Sequence, residues 1–242
     1  TCYVTLEPCA HVSPRGPACA GSLVEAGVGR VVIALGDPDP RTNGQGIARL
    51  RSAGVAVTEG VGEAAARGAM AGFLTRRAKA RPVVTLKLAT SLDGRIALSS
   101  GESRWITGPE ARAHAHLERA RHEAILVGRR TFEVDSPRLD VRLPGLESRS
   151  PRRLLLSRQP CENREGWERL DSPAAIAGLD GVDHLLVEGG ADTAAAFLRE
   201  GLVDRLLLYR APILIGDGKP ALGDLGLTDL AAAHGRWRLA DT

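Results

Sequence analysis

Aromatic side chains, lysines and long apolar runs are all scarce in this sequence. Aromatic residues make up only 3% of the 242 positions, too few for the stacking platforms that bind single-stranded nucleic acids. Only three of the 32 basic residues are lysines, and the arginines are scattered, so the sequence predicts no nucleic-acid partner. No apolar run approaches the roughly 20 residues of a membrane span, and no signal peptide is recognisable. We therefore expect a cytoplasmic protein without a membrane partner.

The rest of the composition is that of an ordinary globular protein. Apolar residues make up 43% and charged residues 25%, and the length suffices for one large or two modest domains. Without a signal peptide, the four cysteines indicate a reduced compartment and metal or thiol chemistry rather than disulfides. The only methionine is Met70, and residues 1–6 already have the pattern of a strand, so we expect the chain to begin inside a domain.

Strands and helices alternate along the chain, which is typical of an α/β fold. Buried strands are predicted at 30–35 and 83–89, and 63–78 has the pattern of a single helix. A basic, proline-containing segment separates two such blocks. We therefore predict a first domain at residues 1–80 and a second at residues 81–242.

Local patterns also predict details of the second domain. An irregular segment is expected at 160–168, and a final pair of strands at 202–209 and 212–216. We expect the chain to end one strand short of the complete sheet. Thr107 is predicted to cap a helix whose first turn contains Pro109.

The stretch 185–197 combines an apolar run, a carboxylate, two glycines and a helix-forming segment. This order predicts a buried strand, a tight turn and a helix N-terminus. The first turn of such a helix presents unpaired N–H groups that suit a phosphate. Glu188 would lie at the carboxyl end of its strand, where open α/β sheets bind ligands. Taken alone, the stretch fits an ordinary strand-to-helix turn equally well.

Lys87 is a second unusual charge, because it lies inside an otherwise apolar predicted strand. A buried lysine is costly unless it is paired or functional, although a lysine at a sheet edge can also extend its ammonium to solvent. Lys87 and Glu188 are therefore our candidates for moving a proton or orienting a substrate.

Cys9 and Cys19 flank a loop rich in proline and glycine, and Cys19 begins a predicted helix. A thiolate at a helix N-terminus is favoured by the helix dipole and suits a zinc ion. Zinc-dependent nucleotide deaminases add a His-x-Glu motif, whose Glu shuttles the proton of the zinc-bound water, but none precedes Cys9. The alternative is two buried thiols beside a loop.

Ordered motifs across nearly the whole chain resemble the RibD family, the bifunctional deaminase/reductases of riboflavin biosynthesis. The first block consists of TLEPC at 5–9, Cys19 and DPDP at 37–40. The second block consists of LKLA at 86–89, SLDGR at 91–95, GES at 101–103, WIT at 105–107, AILVG at 124–128, VEGGA at 187–191 and GLVD at 201–204. The resemblance implies a partial cytidine-deaminase-like α/β/α domain, followed by a dihydrofolate-reductase-like α/β domain with a mixed sheet that binds NADPH at its carboxyl edge.

The resemblance also assigns residues to each site. For the substrate of the reductase it implies Ser103, Arg119, Leu139, Arg142 and Glu188. For NADPH it implies Ala89, Trp105, Thr131, Asp135, Ser157, Gly190, Ala191, Asp192, Thr193, Ala194, Ala195 and Ala196. For the deaminase it implies His11, Arg15 and Asp37 around the substrate, with Cys9 and Cys19 as ligands of a Zn²⁺ ion.

Together these assignments imply NADPH-dependent reduction of the ribosyl group of 5-amino-6-(5-phosphoribosylamino)uracil, with a zinc-dependent pyrimidine deaminase domain that is incomplete in this chain. Arg119 and Arg142 can clamp a phosphate bidentately, and Lys87 and Glu188 are the predicted catalytic pair. The family also implies a homodimer through the reductase domain. Two alternatives remain: a related NADPH-dependent pyrimidine or pterin reductase, and a degenerate, non-catalytic nucleotide-binding homologue.

Overall fold

The computed structural model describes residues 1–14, 16–160 and 164–240, and the chain divides into two units, Thr1–Ala80 and Arg81–Thr242. The strands of the first unit are β1 (Cys2–Leu6), β2 (Arg30–Leu35) and β3 (Ala56–Glu59). They form a parallel sheet in the order β1–β2–β3. The helices of this unit are α1 (Cys19–Glu25), α2 (Gln45–Ser52), α3 (Glu63–Ala69) and α4 (Ala71–Lys79).

Apolar side chains of β2 form the centre of the first unit's core. Val31 and Ile33, on one face of the strand, are buried with Ala20, Ile47 and Leu50 from α1 and α2. Burying an aliphatic side chain of this size stabilises the fold by roughly 1.5–3 kcal/mol. This small cluster therefore holds the helices on the sheet.

The single helix predicted over 63–78 is interrupted at Met70. This residue ends α3 and begins α4 with φ of −107° and ψ of 15°, outside the helical range. Its amide still donates to the carbonyl of Ala66, and its carbonyl accepts the amide of Leu74. The hydrogen-bonded ladder thus continues through the break.

The second unit contains a larger parallel sheet. Its strands are β4 (Val83–Thr90), β6 (Ala124–Gly128), β7 (Arg152–Leu156), β8 (Trp167–Leu170), β9 (His184–Val187) and β10 (Arg205–Arg210). Their order in the sheet is β10–β4–β9–β6–β7–β8. A separate antiparallel pair joins β5 (Arg95–Leu98) to β11 (Gly218–Pro220). The α-helices are α5 (Pro109–Ala120), α6 (Arg129–Asp135) and α7 (Ala191–Arg199).

The α/β class is as predicted, but the sheet differs from the mixed sheet that we expected. Within the described ranges, every pairing among the six strands is parallel, and β5 and β11 are the strands of this unit that pair antiparallel. Parallel neighbours need a crossover connection. The helix α6 belongs to the connection between the neighbours β6 and β7, and α7 to the connection from β9 to β10, which lie on either side of β4.

Apolar side chains cover both faces of the central strands. On one face, Leu86 and Val187 pack with Phe197 of α7. On the other face, Leu186 packs with Phe132 of α6. A parallel sheet buried on both faces leaves its strand ends as the place where polar groups and ligands can meet.

The segment 212–216 is not the strand that we predicted. The carboxylate of Asp93 accepts hydrogen bonds from the amides of Ile215 at 3.1 Å and Gly216 at 2.7 Å. These donors are therefore engaged by a side chain instead of a neighbouring strand. The partner of β5 forms only afterwards, at β11.

Two smaller predictions also need correction. Of the segment predicted to be irregular, 160–168, residues 161–163 lie outside the described residues, and β8 already begins at Trp167. The N-cap of α5 is Gly108 and not Thr107. Thr107 instead accepts a hydrogen bond through its carbonyl, at 2.7 Å from Nη1 of Arg112.

Candidate active site

Lys87 and Glu188 come together where β9 ends beside β4. The two strands pair in parallel with Leu86 opposite Val187, so the next residues along each strand are neighbours. Nζ of Lys87 lies 3.9 Å from Oε2 of Glu188, and the two side chains are 18% and 11% exposed. The lysine in an apolar strand thus has a carboxylate as its partner, at the edge where α/β sheets bind ligands.

Arg119 of α5 forms a second, closer ion pair with Glu188. Its Nε and Nη2 atoms donate to the two carboxylate oxygens at 2.8 and 2.9 Å, the bidentate geometry that makes such pairs strong. Burial raises the pKa of Glu188, but the hydrogen bond from Arg119 and the charges of Lys87 and Arg119 outweigh it, so the pKa lies below its usual range. Glu188 is therefore a carboxylate at neutral pH.

This pairing changes the expectation that Arg119 and Arg142 jointly clamp a phosphate. Three nitrogen atoms of Arg119 already donate to protein oxygens, two to Glu188 and one to the carbonyl of Asp140. Arg142 is 58% exposed, and its Nε lies 3.6 Å from a carboxylate oxygen of Asp140. Arg142 is thus the more accessible of the two cations.

A cavity of about 400 Å³ opens beside this cluster. Four of the predicted site residues line it: Lys87, Trp105, Arg119 and Arg142. Three further charged or aromatic residues that we did not predict line it as well: Arg112, His116 and Tyr209. A concave, cation-rich space of this volume suits a small anionic ligand.

Arg112, His116 and Arg119 line the cavity because they share one face of α5. Their spacing of four and then three residues is the spacing of helix neighbours. This periodicity is present in the sequence and is the signal by which Arg112 and His116 can be found. Burial and the positive charges of Arg119 and Arg142 lower the pKa of His116, so its imidazole is neutral at neutral pH.

Tyr209 reaches the cavity from β10. Leu207 of β10 lies opposite Lys87, so Tyr209, two residues further on, shares a face of the sheet with Lys87. Nζ of Lys87 lies 5.6 Å from the centroid of its ring. Burial and the nearby carboxylates of Glu118 and Glu188 raise the pKa of Tyr209 to about 12. No local pattern in the sequence predicts that Tyr209 lies beside Lys87, because the pairing of β10 with β4 joins distant segments of the chain.

Leu139 contributes to the site from the core and does not line the cavity. Its side chain is buried with Phe132, and its φ is 53°. The carbonyl oxygen of the next residue, Asp140, lies 3.1 Å from Nη1 of Arg119 and 3.1 Å from Nδ1 of His116. The backbone beside Leu139 therefore contributes to the orientation of Arg119.

Ser103 and Trp105 lie on an exposed segment. Trp105 is 66% exposed, and the guanidinium of Arg112 lies 4.6 Å from its ring centroid. This cation–π contact holds the indole at the cavity mouth. The structure brings Trp105 to the cavity wall, whereas Ser103 lies outside the lining.

The residues predicted to bind NADPH follow the carboxyl edge of the sheet. Ala89 lies near the end of β4, Ser157 directly follows β7, and Gly190 follows β9 as the N-cap of α7. Thr131 and Asp135 belong to α6, which directly follows β6. Because parallel strands end at the same edge, these residues extend along one side of the sheet.

The first turn of α7 is the part of this edge that fits an anionic group. A Cβ at Gly190 would meet open space, whereas a Cβ at Gly189 would lie 2.6 Å from Thr193, and one at Gly128 would also clash with Thr193. The two clashing glycines allow the strand ends to pack against α7. Gly190 leaves open space beside the first-turn amides of α7, although the turn also carries the carboxylate of Asp192. The residues present therefore fit the pyrophosphate of a dinucleotide.

At several other positions predicted to bind the cofactor, the side chains are buried or partly buried inside the protein. Ala194 and Ala195 are 0% and 1% exposed, and Ala196 is partly buried. Ser157 is buried, and its hydroxyl donates to the carbonyl of Gln159 at 2.7 Å. These side chains stabilise α7 and the loop after β7.

In the first unit, Cys9 and Cys19 lie together. The amide of Cys19 donates to Sγ of Cys9 at 3.2 Å. The hydrogen bond between the thiols and burial raise the pKa of the Cys19 thiol. Among the described residues, no group of three or more His, Cys, Asp or Glu is placed to hold a metal. The residues present do not fit a zinc site, which needs at least three protein ligands.

The other predicted deaminase residues are engaged locally. Nδ1 of His11 lies 3.3 Å from the hydroxyl of Thr42. Asp37 is buried, and its carboxylate accepts the amide of Asp39 at 2.9 Å. Arg15 lies outside the described residues.

A His-x-Glu triplet does occur, at residues 116–118, but it belongs to α5 of the second unit. Glu118 is fully buried there, with its carboxylate 2.9 Å from Arg121 and 3.0 Å from Arg205. The ion pair with Arg205 ties α5 to β10. The triplet is therefore structural.

Comparison with known proteins gives a consistent result over the chain. A family model described as the RibD C-terminal domain matches residues 82–241. The riboflavin biosynthesis protein RibD of Aquifex aeolicus is 35% identical to the chain, with 95% of this chain and 74% of the relative covered. The protein of the same name from Escherichia coli is 36% identical, with 96% and 76% covered.

Solved structures give the same picture. A structure of Acinetobacter baumannii RibD has a TM-score of 0.85 and 33% identity, covering 99% of this chain and 76% of that one. The second is named diaminohydroxyphosphoribosylaminopyrimidine deaminase/5-amino-6-(5-phosphoribosylamino)uracil reductase and comes from Thermotoga maritima. It has a TM-score of 0.83 and 32% identity, with 95% and 72% covered.

Proposed function

The chain belongs to the RibD family of riboflavin-biosynthesis proteins, and from this premise we propose that it catalyses the NADPH-dependent reduction of the ribosyl group of 5-amino-6-(5-phosphoribosylamino)uracil. The observation that carries the proposal is the charge cluster of Lys87, Arg119 and Glu188 beside a cavity of about 400 Å³. A proton donor and cations for a phosphorylated sugar therefore lie on one wall.

The proposed reaction adds a hydride to C1 of the ribose and opens the sugar ring. When bound, NADPH supplies the hydride. The bond between C1 and the ring oxygen breaks, its electron pair stays on the oxygen, and that oxygen takes up a proton. Lys87 is the proposed donor, because its ammonium lines the cavity beside Glu188. The product is a linear ribityl amine.

Glu188 is proposed to accept hydrogen bonds from the ribose hydroxyls. Its lowered pKa keeps it ionised, and the two donors of Arg119 hold its carboxylate in one orientation. In this proposal Arg119 acts by positioning Glu188. Arg142, which is exposed and lines the cavity, binds the phosphate of the substrate.

NADPH is proposed to lie along the carboxyl edge of the sheet. Its pyrophosphate would be held by the first-turn amides of α7 after Gly190. Ala89, Trp105, Thr131 and Asp135 would hold the remainder of the cofactor. We expect NADPH to be preferred over NADH, and equal kcat/KM values for the two cofactors would contradict this assignment.

The test is a reduction assay with the purified chain. Consumption of NADPH and a product heavier by two hydrogens are expected with the phosphoribosyl pyrimidine. Lys87→Met should slow both by roughly 10²–10⁴-fold, as expected for loss of a general acid, and leave a small residual rate. Glu200→Gln, at an exposed residue after α7, is the control and should keep full activity. Faster turnover of a dihydropterin would favour a related reductase. Binding of NADPH without turnover of either compound would refute a catalytic role.

For Thr1–Ala80 we propose a partial deaminase-like domain without deaminase activity, preceding a reductase domain at Arg81–Thr242. The parallel sheet with its helices, and the placement of Cys9 against the first residue of α1, support this proposal. Two thiols hold zinc too weakly to activate a water. Release of ammonia from the pyrimidine substrate, with or without added Zn²⁺, would refute it.

The remaining expectations concern partners. No helix in the described part of the chain combines the length and the apolar composition that crossing a bilayer requires. A homodimer through the second unit stays a prediction. Sedimentation velocity of the purified chain over a range of concentrations measures it.

A further inference from the structure

Lys87 lies between a carboxylate and an aromatic ring. On one side, Oε2 of Glu188 is 3.9 Å from its Nζ, and on the other the ring centroid of Tyr209 is 5.6 Å away. The strand register fixes this placement, because Tyr209 and Lys87 stand on the same face of two paired strands. A cation within about 6 Å of a ring face is attracted by the ring quadrupole.

Tyr209 is itself held by His114 of α5. Its hydroxyl lies 2.7 Å from Nδ1 of His114, and the two rings meet edge-on with centroids 5.8 Å apart. Because burial and nearby carboxylates raise the pKa of Tyr209 to about 12, the phenol keeps its proton at neutral pH and can donate to Nδ1. The helix α5 thus orients both neighbours of Lys87, Glu188 through Arg119 and Tyr209 through His114.

We propose that Tyr209, oriented by His114, is a positioning residue for Lys87. The inference rests on the proposed function and deepens it. Lysine carries its charge on a flexible four-carbon chain, and an ammonium drawn only toward Glu188 would move away from the cavity. The ring face on the opposite side holds the ammonium at the cavity wall, where the ring oxygen of the ribose takes its proton.

The kinetic test is a double-mutant cycle. Tyr209→Leu removes the ring face, and kcat should fall about five- to thirtyfold, as expected for a cation–π contact, with an unchanged dissociation constant for NADPH. In a Lys87→Met background the same substitution should change the residual rate less than about twofold, because no ammonium is left to position. Tyr3→Leu, at an exposed residue of the first unit, is the matched control and should leave kcat unchanged.

A second pair of variants isolates the role of His114. Tyr209→Phe keeps the ring face and loses only the hydroxyl, and His114→Ala removes the other end of the same hydrogen bond. Each should lower kcat by roughly two- to fourfold, the lower end of the range for a neutral hydrogen bond. Combined, they should be no worse than either alone.

A spectroscopic test needs no turnover. The sequence contains only three lysines, Lys79, Lys87 and Lys219, so reductive methylation with carbon-13 gives three lysine signals, and Lys87→Arg identifies the relevant one. The ring current of Tyr209 should displace the Lys87 signal. Tyr209→Leu should return it toward the other two, whereas Tyr209→Phe should leave it displaced.

Three outcomes would each overturn the positioning role. They are an unchanged kcat in Tyr209→Leu, the same fold-loss of rate when Tyr209→Leu is made in the Lys87→Met background, and a Lys87 methyl signal that Tyr209→Leu does not move. The two tests also separate this inference from the proposed function. If the wild-type chain does not reduce the pyrimidine, the proposed function fails, and the methyl-lysine signal alone decides whether Tyr209 positions Lys87.

Discussion

Replacing Glu188 with glutamine removes a negative charge that lies between two cations, Arg119 and Lys87. The wild-type carboxylate accepts hydrogen bonds from Arg119 at 2.8 and 2.9 Å and lies 3.9 Å from Lys87. Glutamine keeps the size but directs an NH₂ group at one of these donors. Breaking a buried ion pair costs roughly 3–5 kcal/mol. Because the three side chains are between 11% and 18% exposed, we expect the free energy of unfolding to fall by about 1–3 kcal/mol.

The same substitution should cause a separate loss in catalysis. A hydrogen bond from a ribose hydroxyl to the Glu188 carboxylate is charge-assisted and worth about 1.5–3 kcal/mol. Each 1.4 kcal/mol is about a factor of ten in kcat/KM. We therefore expect kcat/KM per folded molecule to fall roughly tenfold or more, while NADPH still binds.

Urea denaturation measures the first effect and gives the folded fraction under assay conditions. Steady-state kinetics with the phosphoribosyl pyrimidine, normalised to that fraction, measure the second. Glu200→Gln carries the same chemical change at an exposed residue and should alter neither quantity. A Glu188→Gln enzyme that is less stable yet keeps its kcat/KM per folded molecule would refute the reasoning, because Glu188 would then be structural only.

Three further predictions follow from the site and its supports. Arg142→Ala should raise KM for the phosphorylated substrate about tenfold and leave KM for NADPH unchanged in steady-state assays, since a charged hydrogen bond to phosphate is lost. Burial lowers the pKa of His122, so below about pH 6.5 the unfolded chain binds more protons than the folded one and stability falls with falling pH. Urea titrations should show this slope, and His122→Gln should flatten it. Gly189→Ala should lower Tm, because the added Cβ would lie 2.6 Å from Thr193. Gly178→Ala is the control and should not lower it, because its Cβ would meet open space. An equal Tm for the two variants would contradict the packing argument.

The glycine turn could be predicted because its signals are local. An apolar run, Glu188 and two glycines specify strand, turn and helix within a dozen residues. The structure has β9, Glu188 and α7 in that order. The pairing of Lys87 with Glu188 could be anticipated for a different reason, because a charge inside an apolar strand requires a partner.

The partner of Arg119 could not be read from the sequence. Arg119 and Glu188 are 69 residues apart, and they meet only in the folded chain, where α5 brings Arg119 to the residue that follows β9. β8 was missed because it is a short edge strand whose middle residues, Glu168 and Arg169, are exposed like those of a loop. Leu139 matches a substrate position in the sequence, but its side chain belongs to the core.

The charge lining of the cavity bears on how fast a substrate arrives. Four cations line it, Lys87, Arg112, Arg119 and Arg142, against the two carboxylates of Glu188 and Asp140 that pair with them. An excess of positive charge in a concave site focuses the potential and draws a phosphorylated ligand toward it. Because the screening length shrinks from roughly 30 Å at 0.01 M salt to about 10 Å at 0.1 M, the association rate constant should fall over that range. The buried pair of Arg119 and Glu188 is screened much less, so added salt slows the encounter while leaving the orienting contact in place.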